Sequence, residues 1–170
     1  SYTAFYEAMG ILGKKTLLAH SIYLSEEEYK ILKETESRVV HCPTANLFLH
    51  SGRMNLSKMK EYGITIGLGT DIGAGLHFSL LNVMRNMYYL NSVSPTEAFY
   101  YATRSGAIAI GLEDEIGLLE PGFDADLVVL DSGKLERGLM NDIDRTLSAF
   151  MFKGDERVVK AVFVRGRRLY

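Results

Sequence analysis

"ITIGLGTDIGAG", residues 64–75, decides how this chain is read. Apolar and glycine residues run straight into Thr70-Asp71, and more glycine follows. A short apolar run of this kind reads as a buried strand, and Asp71 stands where it ends. Glycine lets backbone or another group come close. The arrangement therefore holds a carboxylate rigidly and leaves its oxygens open to approach. An Asx-type turn capped by Asp71 is the plain structural alternative.

Two earlier segments repeat the pattern. "KTLLAHSIYL" (15–24) reads as a buried strand ending at His20, and "RVVHCP" (38–43) as a strand through His41 stopped by Pro43. Helical patterns alternate with them. "SEEEYKILKETE" (25–36) opens with Ser25 and Glu28 as a capping box. "NLSKMKEYG" (55–63) is a short helix closed by Gly63. "SLLNVMRNMYYLN" (79–91) is apolar nearly all round, as a packed helix is. "SPTEAFYYATRSGAIAIGL" (94–112) reads as one helix, with Ser94 as cap, Pro95 in the first turn and Glu97 completing a second box. Three strands, each followed by a helix, predict β/α units on a parallel sheet, with strands covered on both faces.

Past Gly111 the character changes. "EIGLLEPGFDADLVVLD" (115–131) has a Pro-Gly turn and a Val/Leu-rich strand, and "ERVVKAVFVRGRRLY" (156–170) reads as a hairpin around Arg165-Gly166. Between them "NDIDRTLSAFMFKG" (141–154) predicts a short helix. The expected division is an α/β part over residues 1–112 and a small β-rich part over 113–170.

Bulk properties narrow the function classes. At 170 residues roughly 70% of the unfolded surface can be buried. Hydrophobic content of 47%, charged content of 24% and a net charge of −2 are ordinary globular values. They give no reason to expect nucleic acid or an anionic membrane as partner. The single cysteine, Cys42, excludes an intrachain disulfide and fits a reducing compartment. No apolar run approaches the ~18 residues of a membrane span. The opening "SYTAFYEAMG" has no initiator methionine, which reads as a processed or excised piece of a longer protein.

In parallel β/α folds chemistry collects at the carboxyl ends of strands. His20, His41 and Asp71 fall there. Each has a bland reading as well: His20 as a core histidine bonded to a backbone carbonyl, His41 as a structural loop residue, Asp71 as the turn cap. His50 and His77 read as surface or rim residues. The chain has no His-x-His, no His-Glu-x-x-His and no Cys-x-x-Cys. Zinc takes three or four protein ligands, and no local cluster offers them.

"LAHSIYLSEEE" (18–28), "HCPTANLFLHSG" (41–52), "GLGTDIGAG" (67–75) and "EIGLLEPGFDADLVVLD" (115–131), in this order and spacing, resemble the C-terminal half of the amidohydrolase superfamily, and within it the branch that deaminates guanine. The resemblance runs over essentially the whole chain. It implies the C-terminal part of a (β/α)8 barrel, with strands six, seven and eight ending at His20, His41 and Asp71, plus part of a small β-sandwich. It implies catalytic roles for Asp71 and His20. Asp71 would be a zinc ligand and take a proton from the attacking water, and His20 would polarise that water. The implied cofactor is zinc, the substrate guanine, the setting cytoplasmic and the assembly a homodimer. The strand-one His-x-His and the strand-five segment of the superfamily have no counterpart here. One zinc ligand of four is therefore carried, and the missing N-terminal half is the implied partner, without which the chain is expected to be inactive.

The chemistry agrees with that assignment. Hydrolytic deamination needs hydroxide at neutral pH, and zinc supplies it by lowering the pKa of water to about 7. A carboxylate can accept the proton, and a nearby histidine can hydrogen-bond the oxygen and the tetrahedral centre that follows. The Pro-Cys-x-x-Cys signature of the other zinc deaminases is absent. Two alternatives stand beside this reading. One is a different amidohydrolase, an adenosine-derivative deaminase or a chlorohydrolase, against which the loop "TDIGAG" counts by resemblance. The other is a non-catalytic half-barrel that serves as an assembly module. On either barrel reading "TLLAH" and "ITIGLG" are expected to present open strand edges, with Leu81, Met84 and Tyr88 exposed on a neighbouring helix.

Overall fold

The computed structural model describes residues 1–135 and 142–170. It opens with a helix that the periodicity does not announce, α1 (Tyr2–Ala8), capped by the Ser1 side chain. Buried Thr3 donates its hydroxyl to Glu28 Oε1 at 2.8 Å. Glu28 belongs to α2 (Glu26–Glu34), where both halves of the Ser25–Glu28 capping box form. Burial pushes the Glu28 carboxyl up, but hydrogen bonds from Ser25, Thr3 and Ser1 outweigh it and hold the group down to about 2. The box thus fixes the start of α2 and docks α1 on it.

β1 (Leu17–Ala19), β2 (Arg38–His41) and β3 (Ile66–Leu68) form a parallel sheet in the order β1-β2-β3. Leu18 pairs with Val39, and Val40 with Gly67. The expected two-sided cover holds for β3, whose Ile66 and Gly67 are buried, but not for β1. Leu17 and Ala19 are exposed. Both β1 and β3 are outer strands of the sheet, but later helices pack against β3 and cover it. Apolar composition alone does not tell which outer strand is covered.

After β2 comes a second unannounced helix, α3 (Pro43–Phe48), with Pro43 at its first position. The proline that stops the strand also starts the helix, since its fixed φ suits the first turn. α4 (Leu56–Glu61) is capped by Asn55 and closed at Gly63, whose φ is +69°. α5 (Leu80–Asn91) packs over the sheet.

The predicted helix over 94–112 breaks in two at Thr103, giving α6 (Pro95–Ala102) and α7 (Arg104–Ile110). The break lets α7 settle on β3: the Ser105 hydroxyl bonds the Ile66 carbonyl, and Gly67 lies so close that a Cβ there would meet Ala109 Cβ at 3.1 Å. The second capping box is half made. Ser94 accepts from the Glu97 amide, but the Glu97 carboxylate turns to Lys60 and to the Tyr101 hydroxyl.

The main core gathers Leu32, Val39, Met59, Ile66 and Met87, all essentially inaccessible. Each such side chain contributes about 1.5–3 kcal/mol by leaving water. Met84 belongs to this core at 3% exposure, and Leu81 is half-buried against it, whereas both were expected to be exposed. Their cover comes from the later part of the chain. α8 (Ile143–Lys153), capped by Asp142, inserts Met151 into the same cluster. Arg85 of α5 donates to the carbonyls of Met151 and Gly154. Tyr88 remains exposed, edge-on to Phe152.

β4 (Leu127–Leu130), β5 (Val159–Val164) and β6 (Arg167–Arg168) form a separate antiparallel sheet in the order β4-β5-β6. The β5–β6 hairpin turns at Arg165 and Gly166, with φ of +48° and +74°, as a two-residue turn of this hand requires. Asn141, the first residue of the predicted last helix, lies outside the described residues. Among the described residues no helix is long and apolar enough to cross a membrane.

Candidate active site

The carboxyl ends of β1, β2 and β3 share one end of the sheet, and there the backbone departs from strand geometry in the same way twice. His20 and Ser21 after β1 take φ of +67° and +46°, and Asp71 after β3 takes +48°. Left-handed backbone at residues with a Cβ costs roughly 1–2 kcal/mol each, and strain of this kind collects at functional sites. The ladder still reaches the bend, since the His20 amide donates to the Val40 carbonyl and the Gly69 amide to the His41 carbonyl. A rigid sheet thus ends in two abrupt turns that aim His20 and Asp71.

The turns bring the two side chains together. β1 and β3 are separated by β2, which puts their axes about 10 Å apart. His20 Nε2 nevertheless stands 3.8 Å from Asp71 Oδ2, both side chains partly open to solvent at 41% and 35%. That is too long for a direct hydrogen bond and suits two groups that face a common ligand atom. The other ring nitrogen is engaged: His20 Nδ1 is 2.8 Å from Asn46 Oδ1 on α3.

The glycines around Asp71 have a sharper purpose than openness. Gly69 passes so close to β2 that a Cβ would meet Val40 Cγ1 at 2.6 Å. At Gly75 a Cβ would run into the Thr70 carbonyl oxygen, because the loop folds back and the Ala74 and Gly75 amides bond the Asp71 carbonyl. Gly73, at φ +114°, has open space around it. The loop is therefore a closed turn that fixes the Asp71 backbone and leaves its carboxylate outward.

The other candidates lie elsewhere. His41 is the last residue of β2 and 1% exposed; its Nε2 meets Asn91 Oδ1 at 2.9 Å, and Asn91 in turn donates to the Met54 carbonyl. Burial, with a smaller contribution from His20, pushes the His41 imidazole down to about 4 against the support of Asn91. It is a neutral histidine that ties β2 to α5. His50 and His77 are exposed on loops. Cys42 is buried beside the site; burial and the Asp71 charge push its thiol up to about 11, which works against the thiolate form a nucleophile needs.

A metal ion needs more donors than are gathered here. Among the described residues no group of three or more His, Cys, Asp or Glu side chains could hold one. Asp71 is a suitable single donor, an outward carboxylate on a fixed backbone, so the donor chemistry fits zinc in kind and not in number.

A model of the amidohydrolase family matches residues 1–169. The chain belongs to the amidohydrolase family. A curated amidohydrolase relative, guanine deaminase of Escherichia coli (strain K12), is 37% identical over 180 residues, covering 99% of this chain and 41% of the relative. A solved structure of E. coli guanine deaminase superposes with a TM-score of 0.94, covering 99% of this chain and 42% of that one. Guanine deaminase from C. acetobutylicum, solved with guanine in its active site, gives a TM-score of 0.87 at 32% identity, over 99% of this chain and 42% of that one. An adenosine deaminase from Xanthomonas campestris with bound zinc gives 0.86 at 26% identity, over 97% and 39%. The chain thus spans about two fifths of the length of the guanine deaminases it matches. The amidohydrolase fold explains the parallel sheet and its helices.

Asn46 is the site residue that sequence reasoning missed. In "HCPTANLF" the proline after a strand marks a helix start, but nothing local shows that Asn46 reaches His20.

Proposed function

We propose that this chain carries the strand-six to strand-eight part of a zinc-dependent guanine deaminase, which converts guanine and water to xanthine and ammonia. The reading rests above all on one observation: His20 and Asp71, from strands that are not neighbours, converge to 3.8 Å on a fold shared at 37% identity with a guanine deaminase. Residues 1–112 are read as barrel, and residues 113–170 as its share of a small sandwich domain. The remaining zinc ligands and most of the guanine contacts would come from outside these residues, as would a second subunit. A cytoplasmic setting agrees with the unpaired Cys42.

Asp71 is the residue of this chain that would hold zinc. Bound zinc supplies acidity, lowering the pKa of the attacking water to about 7. Asp71 takes the water's proton on its carboxylate and passes it on toward the departing ammonia. His20 Nε2 lies across from that carboxylate, orients the water through a hydrogen bond, and stays beside the oxygen as the ring carbon becomes tetrahedral. The left-handed turns at His20 and Asp71 hold both groups in place before substrate arrives.

Guanine turnover and zinc content test this, measured on the 170-residue chain alone and with the rest of a full-length relative's barrel supplied. The chain alone is expected to bind less than stoichiometric zinc and to turn over no guanine. The completed protein is expected to release ammonia from guanine in preference to adenosine derivatives or chlorotriazines. Preference for either of the latter would overturn the guanine assignment.

A further inference from the structure

Asn46 sits two elements away from both proposed catalytic groups in sequence, yet its side chain reaches the site. It lies in the first turns of α3, is 2% exposed, and has Oδ1 2.8 Å from His20 Nδ1. Its amide nitrogen is buried and has no hydrogen-bond partner among the described residues. The contact with His20 is thus the one side-chain hydrogen bond that Asn46 makes there. Leaving a buried amide nitrogen unpaired costs about 1–3 kcal/mol, so Asn46 is not placed to stabilise its own helix. That helix has no side-chain cap, and Pro43 rather than Asn46 sets its start.

The contact has a chemical consequence. A neutral imidazole carries one N–H, and the hydrogen bond made by one ring nitrogen decides which. A carbonyl oxygen can only accept. With Asn46 Oδ1 against Nδ1, the proton sits on Nδ1 and the lone pair is left on Nε2, facing Asp71 Oδ2 at 3.8 Å. Two acceptors then face one another, and the group that bridges them must be a donor to both. The opposite placement, with the Asn46 amide nitrogen on Nδ1, would leave an N–H on Nε2 pointing at the carboxylate.

We infer that Asn46 is a positioning residue that locks His20 in the Nδ1–H tautomer, so that His20 meets the attacking water as an acceptor at Nε2. This rests on the catalytic reading of His20 above, but it is tested without turnover. Imidazole nitrogen NMR on the completed protein, with only the 170-residue part isotope-labelled and the His20 signals assigned through His20→Gln, reads the tautomer directly. In the unsubstituted chain above the titration of an ordinary histidine, Nδ1 is expected to be protonated and Nε2 bare. Asn46→Asp, which keeps an acceptor in place, should leave Nδ1 protonated. Asn46→Leu, if folded, should give a mixture of tautomers. An Nε2–H or mixed ring in the unsubstituted chain overturns the inference, as does an Asn46→Asp ring that loses its Nδ1 proton, or a folded Asn46→Leu chain with an unchanged ring. Should Asn46→Leu fail to fold, the other two spectra decide. Failure of the guanine assay would strike the functional reading and leave these spectra intact.

Discussion

His20 Nε2 and Asp71 Oδ2 lie 3.8 Å apart although the strand between their own strands separates them. Their meeting depends on two left-handed turns and not on sheet pairing. The two groups have different tasks in the proposed reaction, and substitution should separate them.

Asp71→Asn in the completed protein removes a charged zinc donor and a proton acceptor together. Turnover should fall by several orders of magnitude and zinc content should fall with it. His20→Ala should lower kcat roughly 10²–10⁴-fold while most of the zinc remains. Equal zinc loss in both variants, by metal analysis against protein concentration, would make His20 a ligand and remove its assigned role.

Gly75→Ala should destabilise the fold by roughly 1–3 kcal/mol, as an overpacked position does, because the new methyl meets the Thr70 carbonyl. The loop must open, and Asp71 moves with it. Gly13→Ala is the control, since a Cβ there meets nothing within 4 Å, and should stay within about 0.5 kcal/mol. Urea denaturation of the two variants side by side checks the difference.

Acid should weaken the fold before its carboxylates protonate. The His41 imidazole is held down to about 4 when folded, against 6.5 ordinarily. Between these values the unfolded chain binds a proton that the folded chain does not, so stability falls as pH drops through this window and is fully present above it. The size is on the order of 3 kcal/mol. Denaturation midpoints taken from about pH 7 down to about pH 5 should fall in the parent chain and fall less in His41→Gln. Parallel slopes would place the acid sensitivity elsewhere.

The 170-residue chain should not persist as a monomer. β1 and β3 each pair only with β2 among the described residues, and neither strand carries proline or charge, the usual guards of an open edge. Size-exclusion chromatography with light scattering should show self-association at micromolar concentration, relieved when the rest of the barrel is supplied. A monodisperse, cooperatively folding monomer would show that both edges are protected.

Much of this fold could be read from local chemistry. The Ser25–Glu28 box, the Gly63 stop and the Arg165-Gly166 turn formed as expected, because each is decided by residues within one turn of the chain. The break at Thr103 could not be read, since the pattern over 94–112 is helical throughout. It exists because α7 must fit Gly67 and Ile66 of β3. α3 was hidden for a related reason: six residues are too few to show a helical period.

The apolar runs alone mark the strand ends, stopping at His20, His41 and Asp71. Packing between distant segments sorted the three. Alternate residues of a strand face opposite ways, and the packing of α5 claimed His41 for the buried side, while the turns after β1 and β3 swung His20 and Asp71 over the sheet end. Which histidine is structural and which faces the carboxylate depends on contacts tens of residues apart, such as Asn46 with His20 and Asn91 with His41, and local sequence carries no physical trace of those distances.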